Sequence, residues 1–254
     1  MNHYKTLKVK QDGNVVTAFL IRSDGRNAIN MQMVRDLSNL IDTVEEASDV
    51  AVLVLRGNAD VFSCGIDLGD FPIERPRDIY GLQKWERMCR DMERMNKFTV
   101  AAIQGECTGG GLQLVLLCDA RIAESRAVFR LDEVEKGFLP GMATFRLAKY
   151  VGLGRAKNLI LTGRSIRAAE ALDWGILDQV CEQASFEVTL QQTIQSLLPF
   201  HPVALEMARR LLAESYAASY DEFLGHYLAA QHRCIHSEAF RRLIEKAGGK
   251  KDSQ

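Results

Sequence analysis

Charge of either sign is not in excess in this chain. Its 254 residues carry 32 Lys+Arg against 33 Asp+Glu, a formal net charge of −1, and there is no basic block. That argues against a nucleic-acid partner. No apolar run approaches the ~18 residues of a membrane span, and no apolar segment follows a basic start, so neither membrane insertion nor secretion is expected. Six cysteines (Cys64, Cys89, Cys107, Cys118, Cys181, Cys234) are scattered without metal-ligand spacing. Free thiols in a reducing compartment and no metal site are the expectation. The pattern Gly-x-x-x-x-Gly-Lys-Ser/Thr is missing, which disfavours a nucleotide-phosphate loop. There is no internal sequence repeat and no low-complexity tract. Without a peroxisomal terminal signal or a transit-peptide composition, the cytoplasm is the expected location.

Apolar residues are plentiful, at 47%, enough for a sizeable core. The length suits one domain with an appendage, or two small ones. The chain opens with an α/β grammar. Thr6–Val9 and Val15–Ile21 read as a hairpin around Asp12-Gly13-Asn14. Asn30 is a candidate helix cap before Met33, Leu37, Leu40, Ile41 and Val44, which recur at helical spacing. Val50–Leu55 is apolar throughout, as expected of a strand covered on both faces. Trp85, Met88, Cys89, Met92 and Met95 form a packing stripe on a helix after Pro72 and Pro76. Gly152 and Gly154 are expected to break a helix that starts near Thr144. Helices follow at 159–162, 168–174 and 186–198, with a small strand at 178–180. From about residue 200 the pattern is helical: 204–216, 221–233, and 237–246 with Ser237 as its cap. The expected division is an α/β core over 1–199 and a helical region over 200–254.

One stretch carries the chemistry. Val100–Ile103 reads as a buried strand, followed by Gly105, the triplet Gly109-Gly110-Gly111, and a helical segment Gln113–Cys118. Three glycines before a helix are entropically costly. They suit a main chain that closely approaches a ligand, or N–H groups at a helix start facing negative charge. An oxyanion site for a carbonyl is one reading; a tight strand-to-helix turn is the other. A second glycine-containing segment, Val61–Phe71, follows the Val50 strand. If both strands end at one sheet edge, two N–H groups can be aimed at a single oxygen.

Taken together and in order, these pieces resemble the crotonase superfamily, the enoyl-CoA hydratase/isomerase family, from residue 4 to about 247. Arg26-Asn27-Ala28-Ile29-Asn30 is similar to the segment that contacts the CoA moiety. Phe62-Ser63-Cys64-Gly65-Ile66-Asp67 resembles the loop supplying one oxyanion donor, the N–H of Ile66. Gly105–Asp119 implies Gly110 as the second donor. Phe129–Gly141 resembles the segment with the catalytic glutamate, which falls on Glu133. Leu161-Thr162-Gly163, Ala168–Ala171 and Gly175-Ile176-Leu177 fit the pattern further on. The resemblance implies a spiral of repeated β-β-α units with a C-terminal helical region that mediates oligomerisation and covers the pocket. It also implies trimers or hexamers. CoA or phosphopantetheine would enter only as part of the substrate, with Arg26, Ala28, Ile29, Cys64, Ile66 and Gly110 at its binding site, and no separate cofactor.

Departures bear on the reaction. A typical hydratase of the family holds water with two glutamates; the first falls on Gln113, which cannot take a proton at neutral pH. Glu133 remains, as in the family's one-glutamate double-bond isomerases. Asp132 stands where proline is common, either raising the Glu133 pKa or capping a helix, and Glu135 reads as surface charge. The short tail around His236 and the segment Phe138–Met142 also resemble the decarboxylase-type members of polyketide β-branching cassettes. Those use a C-terminal histidine and a mid-chain lysine, here His236 and Lys84, yet generally lack the glutamate. The leading expectation is an isomerase or hydratase-like lyase acting on an acyl thioester. A decarboxylase or dehydratase on acyl-carrier-protein-bound intermediates is second, and a non-catalytic thioester-binding member third.

Overall fold

A computed structural model describes residues 4–22, 26–70, 80–198 and 201–248. Its strands fall into two sheets. The first has the order β1-β2-β3-β5-β7-β10: β1 (Leu7–Asp12), β2 (Val15–Leu20), β3 (Val52–Arg56), β5 (Phe98–Ile103), β7 (Ala120–Glu124) and β10 (Gln179–Cys181). Only the β1–β2 hairpin in it is antiparallel. The second sheet has the order β4-β6-β8-β9: β4 (Val61–Ser63), β6 (Glu106–Thr108), β8 (Val128–Arg130) and β9 (Ile166–Arg167). Here β4, β6 and β8 run parallel.

The chain alternates between the sheets. A strand of the first is followed by a short strand of the second and then a helix: β3-β4-α2 (Tyr80–Arg94), β5-β6-α3 (Gly110–Leu116), β7-β8-α4 (Ala143–Thr162). Gly57 and Gly105 mark the crossings. A Cβ on Gly105 would lie 1.9 Å from the carbonyl oxygen of Asp60, and one on Gly57 would lie 2.2 Å from that of Val61. Only glycine lets the backbones pass this closely.

The first sheet is covered on both faces, which explains its unbroken apolar strands. Leu53, Leu55, Ala101 and Ile103 face the larger core; Val52, Val54, Val100 and Ile122 face Phe186, Leu190 and Ile194 of α6 (Phe186–Leu197). Asn30 caps α1 (Met31–Glu46), its Oδ1 accepting the Met33 N–H at 2.9 Å. The stripe Trp85, Met88, Cys89, Met92 and Met95 is buried as expected.

Several sequence expectations change. The 159–162 segment is the end of α4, which kinks at Gly152 (φ 76°) and passes Gly154 unbroken. The helix at 168–174 is α5 (Ala168–Asp173), and the small strand lies one residue later, as β10. The C-terminal helices α7 (Pro202–Glu214), α8 (Tyr220–Ile235) and α9 (Glu238–Gly248) agree with the expected pattern, and the Ser237 hydroxyl accepts the Phe240 N–H at 3.3 Å. The segment with Pro72 and Pro76 lies outside the described residues. Arg209 anchors α7 to the core by donating to the carbonyls of Met92 and Lys97 and pairing with Asp119 at 3.0 Å. Among the described residues no helix is long and apolar enough to cross a membrane.

Candidate active site

The site is assembled where β4, β6 and β8 end. Their exits deliver, in order, Ile66, Gly110 and Glu133. The first two meet backbone to backbone. A Cβ on Gly65 (φ 97°) would lie 3.2 Å from the Thr108 carbonyl oxygen and 3.5 Å from the Gly110 nitrogen, and one on Gly110 would lie 3.7 Å from the Ile66 nitrogen. The N–H groups on either side are committed. Asp67 donates to the Ile29 carbonyl at 3.0 Å, Gly65 to the Ser63 hydroxyl at 3.2 Å, and Gly109 to the Arg130 carbonyl at 2.9 Å. No such bond takes up the N–H of Ile66 or Gly110 among the described residues. The convergence of two glycine-containing strand exits is therefore present, at the edge of the second sheet and not the first.

Glu133 closes the group. Its side chain is buried, and neither carboxylate oxygen has a hydrogen-bond partner. The carboxylate lies against Gly109, where a Cβ would approach Glu133 Oε1 to 2.6 Å. Gly109 needs its glycine for this contact and for its φ of 53°. Burial raises the Glu133 pKa from 4.5 to about 7, and the neighbouring Asp132 carboxylate adds to the rise. A carboxyl group that titrates near neutrality can both accept and return a proton. Asp132 is paired with Lys136 at 2.8 Å and Arg130 at 3.6 Å, while Glu135 is exposed and paired with Arg130 at 2.6 Å.

Gln113 sits one turn into α3, its N–H bonded to the Gly109 carbonyl at 3.1 Å. Its amide is buried and has no partner on either atom. Ala28 and Ile29 are buried beside the Ile66 loop. Ile29 forms a parallel bridge with Ile66, and its Cδ1 would meet a Cβ on Gly110 at 3.1 Å. The Cys64 N–H reaches the Arg26 carbonyl at 3.2 Å. Arg26 is exposed and ion-paired with Glu106. Ile66, Gly110, Glu133, Gln113, Ala28, Ile29, Cys64 and Arg26 thus belong to one neighbourhood.

Two residues stand differently. Lys84 is exposed on α2. His236 caps the end of α8, where its Nδ1 contacts the His232 carbonyl oxygen at 2.8 Å and its ring lies 4.0 Å from that of His232. The helix it ends packs on α7 and α9. One residue at the site escaped the sequence reading: Glu86 of α2, whose Oε1 accepts the Met142 N–H at 3.1 Å. It stands among surface-type charges in sequence, and only its place one residue past the buried Trp85 marks it.

Known proteins agree with this architecture. A family model for enoyl-CoA hydratase/isomerase matches residues 10–247. The short-chain-enoyl-CoA hydratase of Clostridium acetobutylicum is 30% identical over 249 residues, 94% of either chain. The 2,3-dehydroadipyl-CoA hydratase of Escherichia coli is 32% identical over 219 residues, 82% of either chain. An enoyl-CoA hydratase structure from Bacillus anthracis superposes with a TM-score of 0.88 at 26% identity, over 97% of either chain. The spiral of β-β-α units with its helical C-terminal region is the architecture of those relatives. With the family model spanning nearly the whole sequence, the chain belongs to the crotonase superfamily, as a member of its enoyl-CoA hydratase/isomerase family.

Proposed function

We propose that the protein shifts a double bond in an enoyl thioester, with Glu133 as the proton-transfer group. The observation that carries this reading is the unpartnered, buried Glu133 carboxylate, titrating near 7 at the strand exit beside Gly110. The thioester carbonyl oxygen would lie between the N–H groups of Ile66 and Gly110, with the CoA or phosphopantetheine arm along Arg26, Ala28, Ile29 and Cys64. Ionised Glu133 takes a proton from the carbon next to the carbonyl of a 3-enoyl thioester. The electron pair runs to the carbonyl oxygen, and the two N–H groups stabilise that oxyanion; one such donor is worth roughly 2.7–4 kcal/mol. Glu133 then returns the proton at the far end of the double bond, so the enzyme ends as it began. Gln113 provides polar contact but no second proton carrier, which makes water addition the slower reaction.

The C-terminal region extends the proposal. No residue of α8 is buried, and Tyr220, Leu228, Leu243 and Ile244 are exposed on α8 and α9. We assign these apolar side chains to homotrimer or homohexamer contacts.

The test is a mass-spectrometric assay of wild type and Glu133→Gln with 3-enoyl, 2-enoyl and glutaconyl-type thioesters, on CoA and on acyl carrier protein. Isomerisation by wild type should fall about 10²–10⁴-fold in the variant, with thioester affinity by calorimetry largely kept. Decarboxylation that survives Glu133→Gln and is lost in His236→Ala would replace this reading by the carrier-bound decarboxylase. Binding without turnover of any substrate would indicate the non-catalytic alternative.

A further inference from the structure

The direction of the Ile66 N–H is set from behind. Segment 26–29 runs beside the Ile66 loop and holds its peptide planes in turn. The Cys64 N–H reaches the Arg26 carbonyl at 3.2 Å, the Ile29 N–H donates to the Gly65 carbonyl at 2.7 Å, and the Asp67 N–H donates to the Ile29 carbonyl at 3.0 Å. In a trans peptide the C=O and N–H point to opposite sides of the chain, and none of the described bonds is cis. With the Gly65 carbonyl held on the Ile29 side, the Ile66 N–H of the same plane points the other way, toward Gly110. β4 pairs with β6 only as far as Ser63 and Cys107, so that N–H stands just beyond the end of the ladder.

The plane between Cys64 and Gly65 has a different holder. Its N–H, that of Gly65, donates to the Ser63 hydroxyl at 3.2 Å, and the hydroxyl donates onward to the Asn27 carbonyl at 2.8 Å. Gly65 has a φ of 97° and, without a Cβ, permits many orientations of the planes on either side of it. The hydroxyl bridge restricts that freedom. Asn27 in turn is fully buried and has a φ of 55°, directly after Arg26 at 51°. Residues other than glycine rarely adopt this left-handed conformation. The Asn27 side chain supplies the restraint: its Nδ2 donates to the carbonyls of Val61 and Phe62, both at 3.2 Å. Only the N–H₂ end of an amide can serve two carbonyls. The amide thus fastens the left-handed turn to β4, and the turn holds the Ser63 hydroxyl and, two residues on, Ile29.

Building on the thioester reading above, we propose that Asn27 and Ser63 are positioning residues of the oxyanion site. Asn27 fixes the 26–29 turn, Ser63 couples that turn to Gly65, and together they point the Ile66 N–H at the thioester carbonyl. Both act through the orientation of one peptide plane, and neither touches the ligand.

Isotope-edited infrared spectroscopy reads that plane, with butyryl-CoA labelled at the thioester carbonyl carbon. This ligand has no double bond to move, so it stays intact. A hydrogen bond aimed at the carbonyl oxygen lowers its stretching frequency. Wild type should show the bound band shifted below that of the ligand in buffer. Ser63→Ala and Asn27→Gly should each lose about half of the shift, because one of two donors is misaimed and the Gly110 N–H remains. Asn27→Gly tolerates the φ of 55° and removes only the amide. Ser63→Cys keeps the volume and a weak donor; it should recover part of the shift, and it gives a reading even if Ser63→Ala fails to fold. Affinity by calorimetry should fall no more than about tenfold, the worth of one hydrogen bond. Isomerisation of a 3-enoyl thioester should slow by roughly 10²-fold, the cost of a misplaced group. A purely structural role lowers the melting temperature and leaves the bound band where wild type has it. A full wild-type shift in Ser63→Ala or in Asn27→Gly would therefore overturn the role of the residue replaced. Absence of binding, or of any shift in wild type, would instead overturn the thioester reading, and this inference with it.

Discussion

Replacing Glu133 by glutamine should stabilise the protein at alkaline pH even as it removes activity. Burial lifts the folded-state pKa from the ordinary 4.5 to about 7. The sign follows from which state holds the proton. Above pH 4.5 the unfolded chain releases it freely, while the folded chain keeps it until about pH 7. Folding is therefore penalised increasingly across that window, and by a constant amount above it. The gap corresponds to about 3 kcal/mol, or roughly 6 °C in Tm for a chain of this size. Glutamine carries no such charge. The cost of burying its amide is the same at every pH, so the pH-dependent part isolates the carboxylate. Scanning calorimetry of wild type and variant at pH 4, 6 and 8 should show the variant gaining through the series. A difference that does not change with pH would refute the buried-carboxylate argument, and so would a gain that grows toward acid.

Further outcomes follow from the same contacts. Crotonyl-CoA hydration should run well below the pace of a two-glutamate hydratase, because Gln113 cannot accept a proton; steady-state rates decide it. Gly109→Ala should lower turnover at least about tenfold, since its Cβ would press on Glu133 Oε1 at 2.6 Å. Gly152→Ala makes the control: its Cβ meets nothing within 4 Å, and only its φ of 76° is strained. That change should cost about 1 kcal/mol or more of stability with turnover kept. Phe186→Ala, buried where α6 packs on the first sheet, should cost about 3–5 kcal/mol in denaturant unfolding.

Much of the first sheet was legible in sequence because its strands are long enough to show their burial. Val52–Arg56 and Phe98–Ile103 are nearly continuous apolar runs. The second sheet was not legible. β4, β6 and β8 have three residues each and β9 has two, too few for either alternation or a run to register. Their pairing is set by the chain crossing at Gly57 and Gly105, a long-range property. The glycine triplet announced a close approach, but its own spacing could not distinguish an oxyanion site from a turn. The resemblance assigned roles to Ile66, Gly110 and Glu133, and the spatial convergence of those residues belongs to the fold. Glu86 was invisible for a different reason: its place depends on contacts across helices, with the Met142 N–H and Arg146, which no local pattern encodes.

The three short parallel strands act as a ruler. Ile66, Gly110 and Glu133 each hang a few residues beyond the end of β4, β6 or β8, and neighbouring strands in such a sheet stand about 4.8 Å apart. The interval between the proposed oxyanion donors and the proposed proton carrier is thus graduated in hydrogen-bonded strand spacings, and side-chain packing enters only as support. Stability and catalytic spacing are then separable quantities. A cavity cut into the α6 layer lowers the melting point and leaves the ruler's marks where they were.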